Sequence, residues 1–293
     1  MKNIFGMEIS PLQEIATEMH TVLLPIMQNL MRYIGISDNT VAETFLQFAR
    51  EHEDVYAYER EAHRLLQSRN SLETLTALLQ RRSELMYQQI KPHLVGTFLL
   101  DFGCGDGKIG EMIAKESYNV RLADVYQHPH ITKTGLDFEL LDQEGHILIP
   151  DNSFDNTLVL TVLHHSLYPL QNIAEVARVT KPNGRVIVIE SVYDVQGTEL
   201  TQQQREKSSH FLRLTAEQQR KACAFFDHFF NRVFYFNEDP DTKVAMPYNY
   251  NTPFGWRNAF SRYRLKERTC IHLGIDQPLG PAEYHTLHIL EKM

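Results

Sequence analysis

Cysteine is scarce in this 293-residue chain, and its three copies, Cys104, Cys223 and Cys270, are far apart and odd in number. Such a set excludes a disulfide framework and a clustered zinc site, so no metal is expected, and it fits a reducing compartment. Long apolar runs are missing too. No uncharged stretch approaches the ~20 residues that cross a bilayer, and the N-terminus shows no basic-then-apolar leader. A soluble, cytoplasmic protein with no membrane partner is the expectation. Positive charge is in deficit: 29 Lys and Arg face 37 Asp and Glu, for a net charge of −8. That balance argues against nucleic acid as a partner, because phosphate backbones reward basic surfaces. Internal repeats, low-complexity tracts and Pro/Gly/Ser-rich linkers are also lacking, so any appendage should pack on its neighbours instead of swinging freely.

What is present divides at about residue 95. The first part reads as helical. Leu12, Ile15, Met19, Leu23, Ile26 and Leu30 recur at three- and four-residue steps, which makes one apolar helix face. Pro25 should kink or split that helix. The segment "GISDNT" (35–40) breaks the pattern and offers Asp38, Asn39 or Thr40 as a cap for the next helix. Apolar periodicity resumes through Val41, Phe45 and Phe48, and the last helix of this part should end at Pro92. From residue 97 strands and helices alternate: strands at 97–102, 119–125, 136–142, 154–163 and 184–191, with helices at 107–117 and 170–180. This alternation predicts a doubly wound, mostly parallel sheet. Residues 196–230 are helical again, polar first and aromatic later, and the phenylalanine-rich stretch 222–236 reads as core. A short helix at 255–263 follows, then strands at 265–275 and 284–292. Their link is too short for a crossover helix, so those two strands should pair antiparallel.

The chemistry concentrates where the first strand runs into three glycines, "LLDFGCGDGKIG" (99–110). A glycine turn after a strand is where α/β folds hold nucleotide-containing cofactors. The dinucleotide pattern G-x-G-x-x-G fails here, because Lys108 stands where the third glycine belongs, and Asp106 would repel a pyrophosphate. A cofactor with a sulfonium and an ammonium tolerates such acids. Asp124 ends the second strand, 23 residues after Asp101.

The turn "DFGCGDG", the strand-end Asp124, the stretch "LLDQEGHILIPDNSFDNTLVLTVLHH" (140–165) and "EVARVTKPNGRVIVIES" (175–191) occur in one order. Together they resemble class I S-adenosylmethionine (SAM)-dependent methyltransferases, closest in texture to the small-molecule enzymes that include the ubiquinone and menaquinone methyltransferases. The resemblance covers residues 97–191 firmly and the closing strands loosely. It implies a seven-stranded Rossmann-like sheet with an antiparallel last strand. It also implies SAM as cofactor, S-adenosylhomocysteine as product, and methyl transfer to a small molecule.

Carried onto this chain, the resemblance puts Asp101, Gly103, Gly105 and Gly107 under the methionine part of SAM. Asp124 falls on the ribose, Asp142 or Gln143 at the adenine amino group, and Thr161 beside the cofactor. It puts the acceptor above the ends of the fourth and fifth strands, near His164, His165, Glu190 and Tyr193. His165 is the first choice of general base and His164 the second, with a support role as the alternative for both. Read from its residues, "MPYNYNTPFGW" (246–256) offers Tyr248, Asn249, Tyr250 and Trp256 as aromatic walls and amides for a partly polar acceptor, or else is a loop packed on the sheet by its rings.

The expected division is a helical appendage over 1–95 and a SAM-binding domain over 96–293 with a helical insertion at about 192–255. Appendage and insertion would cap the acceptor, and the N-terminal helices are a candidate homodimer surface. A non-catalytic SAM-binding or regulatory module, and aminopropyl transfer in the same pocket, are the competing readings.

Overall fold

The computed structural model describes residues 3–69, 71–142, 144–239, 243–276 and 280–293. Five helices come first: α1 (Leu12–Glu18), α2 (His20–Tyr33), α3 (Asn39–Glu51), α4 (Val55–Ser68) and α5 (Leu72–Ile90). Strands and helices then alternate as β1 (Phe98–Phe102), α6 (Lys108–Ala114), β2 (Asn119–Asp124), α7 (Ile131–Thr134), β3 (Asp137–Leu140), β4 (Phe154–Leu160), α8 (Pro169–Val179) and β5 (Thr180–Val192). Next come α9 (Gln202–Lys207), α10 (Ser209–Leu212) and α11 (Ala216–His228), the last running into a π-helical turn, Phe229–Phe234. The chain closes with α12 (Pro253–Ser261), β6 (Leu265–Gly274) and β7 (Tyr284–Lys292).

Two units share these elements. The first is Met1–Arg82, Val192–Tyr248 and Leu273–Tyr284; the second is Ser83–Ser191, Asn249–His272 and His285–Met293. In the first unit the predicted apolar face (Leu12, Ile15, Met19, Leu23, Ile26, Leu30) is buried throughout. Asp38 is the residue that caps α3, its side chain accepting from the Thr40 amide. Pro25 does not break the chain where it stands. It sits in the second turn of α2, and the split falls upstream at Met19. At that position Pro25 has no amide to donate to the Thr21 carbonyl one turn before it.

Segment 192–248 packs with the N-terminal helices. Phe45 of α3 meets Phe229 edge to face, with centroids 5.2 Å apart, and Lys221 pairs with Glu18 at 2.5 Å. The widened π turn leaves the Val233 carbonyl to the His63 ring, whose Nδ1 donates to it at 2.8 Å. Phe225, Phe226, Phe229, Phe230 and Phe234 are all buried, so the phenylalanine-rich stretch is core.

The second unit is organised by a seven-stranded sheet of order β3-β2-β1-β4-β5-β7-β6. β1 to β5 are parallel, with Asp101 in register with Leu122 on β2 and Leu158 on β4. The last strand runs antiparallel. Chain order reverses between β1 and β4, and the carboxyl ends of those strands frame the crevice in which doubly wound sheets bind ligands.

Phe45 is fully buried, so Phe45→Ala should lower the unfolding free energy by about 3–5 kcal/mol through a cavity beside Phe229. Denaturant unfolding followed by circular dichroism measures it; a loss under about 1 kcal/mol would show that the insertion does not lean on α3.

Candidate active site

The glycine turn is shaped by three left-handed residues, Gly103 (φ +73°), Gly105 (φ +55°) and Gly107 (φ +76°). They differ in what a side chain would meet. A Cβ at Gly103 would lie 2.4 Å from Val162, and one at Gly107 would lie 2.9 Å from Leu122. At Gly105 it would meet nothing within 4 Å, so the turn opens there onto space. The amides of Gly103 and Cys104 donate to the Ala123 carbonyl at 2.8 and 3.1 Å, which ties the turn to the end of β2. Asp106, the acid held to exclude pyrophosphate, is paired with Lys108 at 2.8 Å.

Asp124 stands beside this turn. One carboxylate oxygen accepts from the Gly105 amide at 2.8 Å and the other from the Val125 amide at 2.7 Å. Burial pushes its carboxyl above the ordinary range, and those two amides pull the other way. A carboxylate offers about four lone-pair sites, more than these amides and that of Tyr126 fill. Asp101 is buried at the end of β1, and its Oδ2 makes no hydrogen bond of good geometry. Burial, reinforced by the nearby charge of Asp124, raises its carboxyl to about 7.

After β3 the backbone amide of Leu141 donates to the Asp124 carbonyl, which brings Asp142 next in line. The Asp142 carboxylate is half-exposed and turned onto its own loop. It accepts from the amides of Glu144 and His146 and from the His146 ring, each at 2.9 Å. The His146 amide is the main reason its carboxyl sits below the usual value. Gln143 lies outside the described residues. Around these acids stand exposed apolar side chains that sequence reasoning missed: Val125 (61 % exposed), Tyr126 (43 %) and Leu140 (63 %). Their signal was local, two apolar residues following a strand-end acid.

The β4 end is built differently. Thr161 takes a left-handed φ of +57°, unusual for a β-branched residue, while its amide donates to Ile189 at 2.7 Å. The chain thereby turns over Glu190, which is fully buried. Glu190 Oε1 accepts from the amides of Val162 (3.0 Å) and Leu163 (2.7 Å), and Oε2 accepts from His164 Nδ1 at 2.5 Å. Glu190 therefore holds the loop from beneath, which corrects the expectation that it faces an acceptor.

His164 is itself buried and stacks on Tyr250, with centroids 5.2 Å apart. Asn249 is buried as well, its amide donating to the His164 carbonyl at 3.1 Å and its Nδ2 to the Ser166 carbonyl at 2.8 Å. Asn249 and Tyr250 are braces of the histidine loop, a second correction. His165 is half-exposed, its ring centroid 4.0 Å from that of His164. Trp256 is fully buried in α12 and stacks on Phe260 at 6.0 Å; it is core, not pocket wall.

Tyr193 and Tyr248 belong to the first unit. There the Tyr193 hydroxyl contacts Met7 Sδ at 2.6 Å, and the Tyr248 hydroxyl shares a 2.7 Å hydrogen bond with His228 Nδ1. Burial raises the pKa of both phenols.

The strand order, the glycine turn and the strand-end acid resemble those of class I SAM-dependent methyltransferase domains. Residues 100–188 match the methyltransferase-domain family. Over 101 residues the chain is 33% identical to a ubiquinone biosynthesis O-methyltransferase of Photobacterium profundum, covering 32% of this chain and 43% of that one. A ubiquinone biosynthesis O-methyltransferase of Dechloromonas aromatica is 31% identical over 103 residues, covering 32% and 44%. The matched stretch thus spans less than half the length of these curated relatives.

Among solved structures, a SAM-dependent methyltransferase from Methanosarcina mazei is 18% identical with a TM-score of 0.48, covering 70% of this chain and 96% of that one. The 1,6-didemethyltoxoflavin-N1-methyltransferase of Burkholderia thailandensis is 11% identical with a TM-score of 0.44, covering 99% and 94%. No helix among the described residues is long and apolar enough to cross a membrane.

The residues present fit SAM. Open space at Gly105, spare acceptor capacity on Asp124 and the buried acid Asp101 suit a cationic, hydroxyl-bearing ligand.

The raised Asp101 carboxyl has a consequence for stability. The folded protein holds this proton where the unfolded chain, with a pKa near 3.9, has released it. The stabilising contribution is full below about pH 4 and is lost as pH rises through about 7. Asp101→Asn, a mimic of the protonated acid, should match the wild-type melting temperature near about pH 3.5 and exceed it near about pH 8.5. Thermal unfolding across that range tests this, and parallel curves for the two proteins would refute it.

Proposed function

We propose that this protein is a SAM-dependent methyltransferase acting on a small organic acceptor. The observation that carries the reading is Asp124: a carboxylate pinned by the Gly105 and Val125 amides at the mouth of an open glycine turn. When bound, SAM supplies a methyl carbon activated by its sulfonium. The chain's own work is then to bind, align and remove a proton.

Gly103, Gly105 and Gly107 keep the turn clear of side chains. Val125, Tyr126 and Leu140 give an apolar surround for adenine, with Asp142 at its polar edge. Alignment of acceptor with methyl donor is proximity catalysis, which rewards a rigid wall. The β4 loop supplies one, since Glu190, Asn249 and Tyr250 fix His164 from three sides. His165, the more exposed of the pair, is the residue proposed to take the acceptor's proton. The curated relatives are O-methyltransferases of ubiquinone biosynthesis, as their names state. This supports a small-molecule acceptor and leaves the atom to experiment.

Asp124→Ala should weaken SAM binding by about 1–3 kcal/mol, the cost of ribose hydroxyls losing a charged acceptor. Isothermal calorimetry measures it, and wild-type protein that binds neither SAM nor S-adenosylhomocysteine at millimolar concentration would sink the reading as a whole. With an acceptor identified by screening metabolite extracts for a labelled methyl product, His165→Ala should lower turnover by roughly 10²-fold or more and leave SAM affinity nearly unchanged. Equal losses of SAM affinity and rate would reassign His165 to cofactor support.

A further inference from the structure

The free edge of the sheet carries a second recess. β6 stands last in the strand order, so one side of its backbone has no neighbouring strand. Six consecutive residues of that strand, Leu265 to Cys270, line a groove of about 520 Å³. Its other wall is Arg257 and Ser261, one turn apart on α12. A groove that follows a strand for six residues has the shape of an extended chain.

The charge here opposes that of the rest of the molecule. Between residues 257 and 268 lie five cations (Arg257, Arg262, Arg264, Lys266 and Arg268) and one acid, Glu267, in a chain of net charge −8. All five cations are exposed, whereas Glu267 is largely buried. Arg257 pairs with Glu267 at 2.5 Å and Arg268 pairs with Glu291. No ion pair among the described residues engages Arg262, Arg264 or Lys266. Lys266 and Arg268 stand two residues apart on the strand, so they project from one face about 6.8 Å apart.

Cations on an edge strand are a known defence against unwanted pairing. That defence requires neither a groove nor a helix that walls it with a further arginine. We propose that the groove binds an acidic, extended segment of a partner protein, which adds to β6 as an eighth strand. Main-chain hydrogen bonds to the β6 edge would hold it. Carboxylates at every second residue, directly across from Lys266 and Arg268, would set its register. The same row of cations rejects a second copy's β6 as occupant, because like charges would then face each other. This inference is independent of the methyl-transfer reading.

The test uses the full chain and a fluorescein-labelled peptide of roughly eight residues, the length of an ordinary strand, alternating Glu and Thr. Fluorescence anisotropy should show saturable binding that weakens with added salt and is absent for the Lys–Thr counterpart. Lys266→Glu should weaken it at least about tenfold with the melting temperature unchanged, as expected of an exposed side chain. If that variant does not fold, Lys266→Ala should show a smaller loss in the same direction. N-methylation of alternate peptide amides should abolish binding. The proposal is overturned if the N-methylated peptide binds as well as the parent, or if the acidic peptide does not bind. Tighter binding of duplex RNA or of phosphatidylglycerol vesicles than of the peptide would overturn it as well.

Discussion

A single buried carboxylate, Glu190, determines what the end of β4 can be. Moving a charge from water into a protein interior is costly unless hydrogen bonds replace the lost solvation. Glu190 has no access to solvent, and its replacements are two backbone amides and one imidazole drawn from three successive residues, Val162, Leu163 and His164. Those donors converge only if the chain reverses just before them. The left-handed Thr161 makes that reversal, at the strain a β-branched residue bears there. The loop is thus held by a requirement of electrostatics, and whatever approaches it meets a fixed wall.

That wall meets the glycine turn from the neighbouring strand. Val162 occupies the space a side chain at Gly103 would need, so the β1 and β4 loops approach closely only because position 103 is glycine. Three acids gather on the β1 and β2 side: Asp101, Asp106 and Asp124. Among the described residues, Asp106 alone of the three is paired with a cation, Lys108. The mutual repulsion is visible in Asp101, raised by burial and then by Asp124. Such a crevice repels phosphate and favours a ligand that brings positive charge. Its electrostatics point the same way as the missing third glycine.

Much of this was legible in the sequence, and the limits have physical causes. Period-two and apolar runs located every strand, because a buried parallel sheet leaves little freedom in residue type. The turn at Gly103, Gly105 and Gly107 was legible because left-handed φ angles favour glycine. Glu190 and Trp256 were misread for a common reason. Sequence shows a carboxylate or an indole at the right place along the chain, but not which side of a loop or helix it faces. For Tyr250 and Asn249 two readings stayed open, because aromatic rings and amides brace a loop as readily as they line a pocket. Helix α7 went unseen because four residues carry no periodicity. The break at Met19 was unseen because Pro25 dominates any local reading of α2.

The first unit repeats the Glu190 device with different parts. Glu59 of α4 is fully buried, and His228 (3.2 Å), Arg232 (3.0 Å) and Lys243 (3.4 Å) surround it. Burial alone would raise its carboxyl, yet His228 and Arg232 outweigh that and hold it below the usual value. Two of these partners flank or sit in the π turn, where the backbone pattern widens, and the third follows it. The carboxylate therefore anchors irregular backbone from the insertion onto a helix more than 160 residues earlier. The dependence runs through Glu59, whose buried charge would be left without partners if the insertion came away. In both units a buried acid fixes the chain where regular structure stops, and these are the places where periodicity gives no guidance.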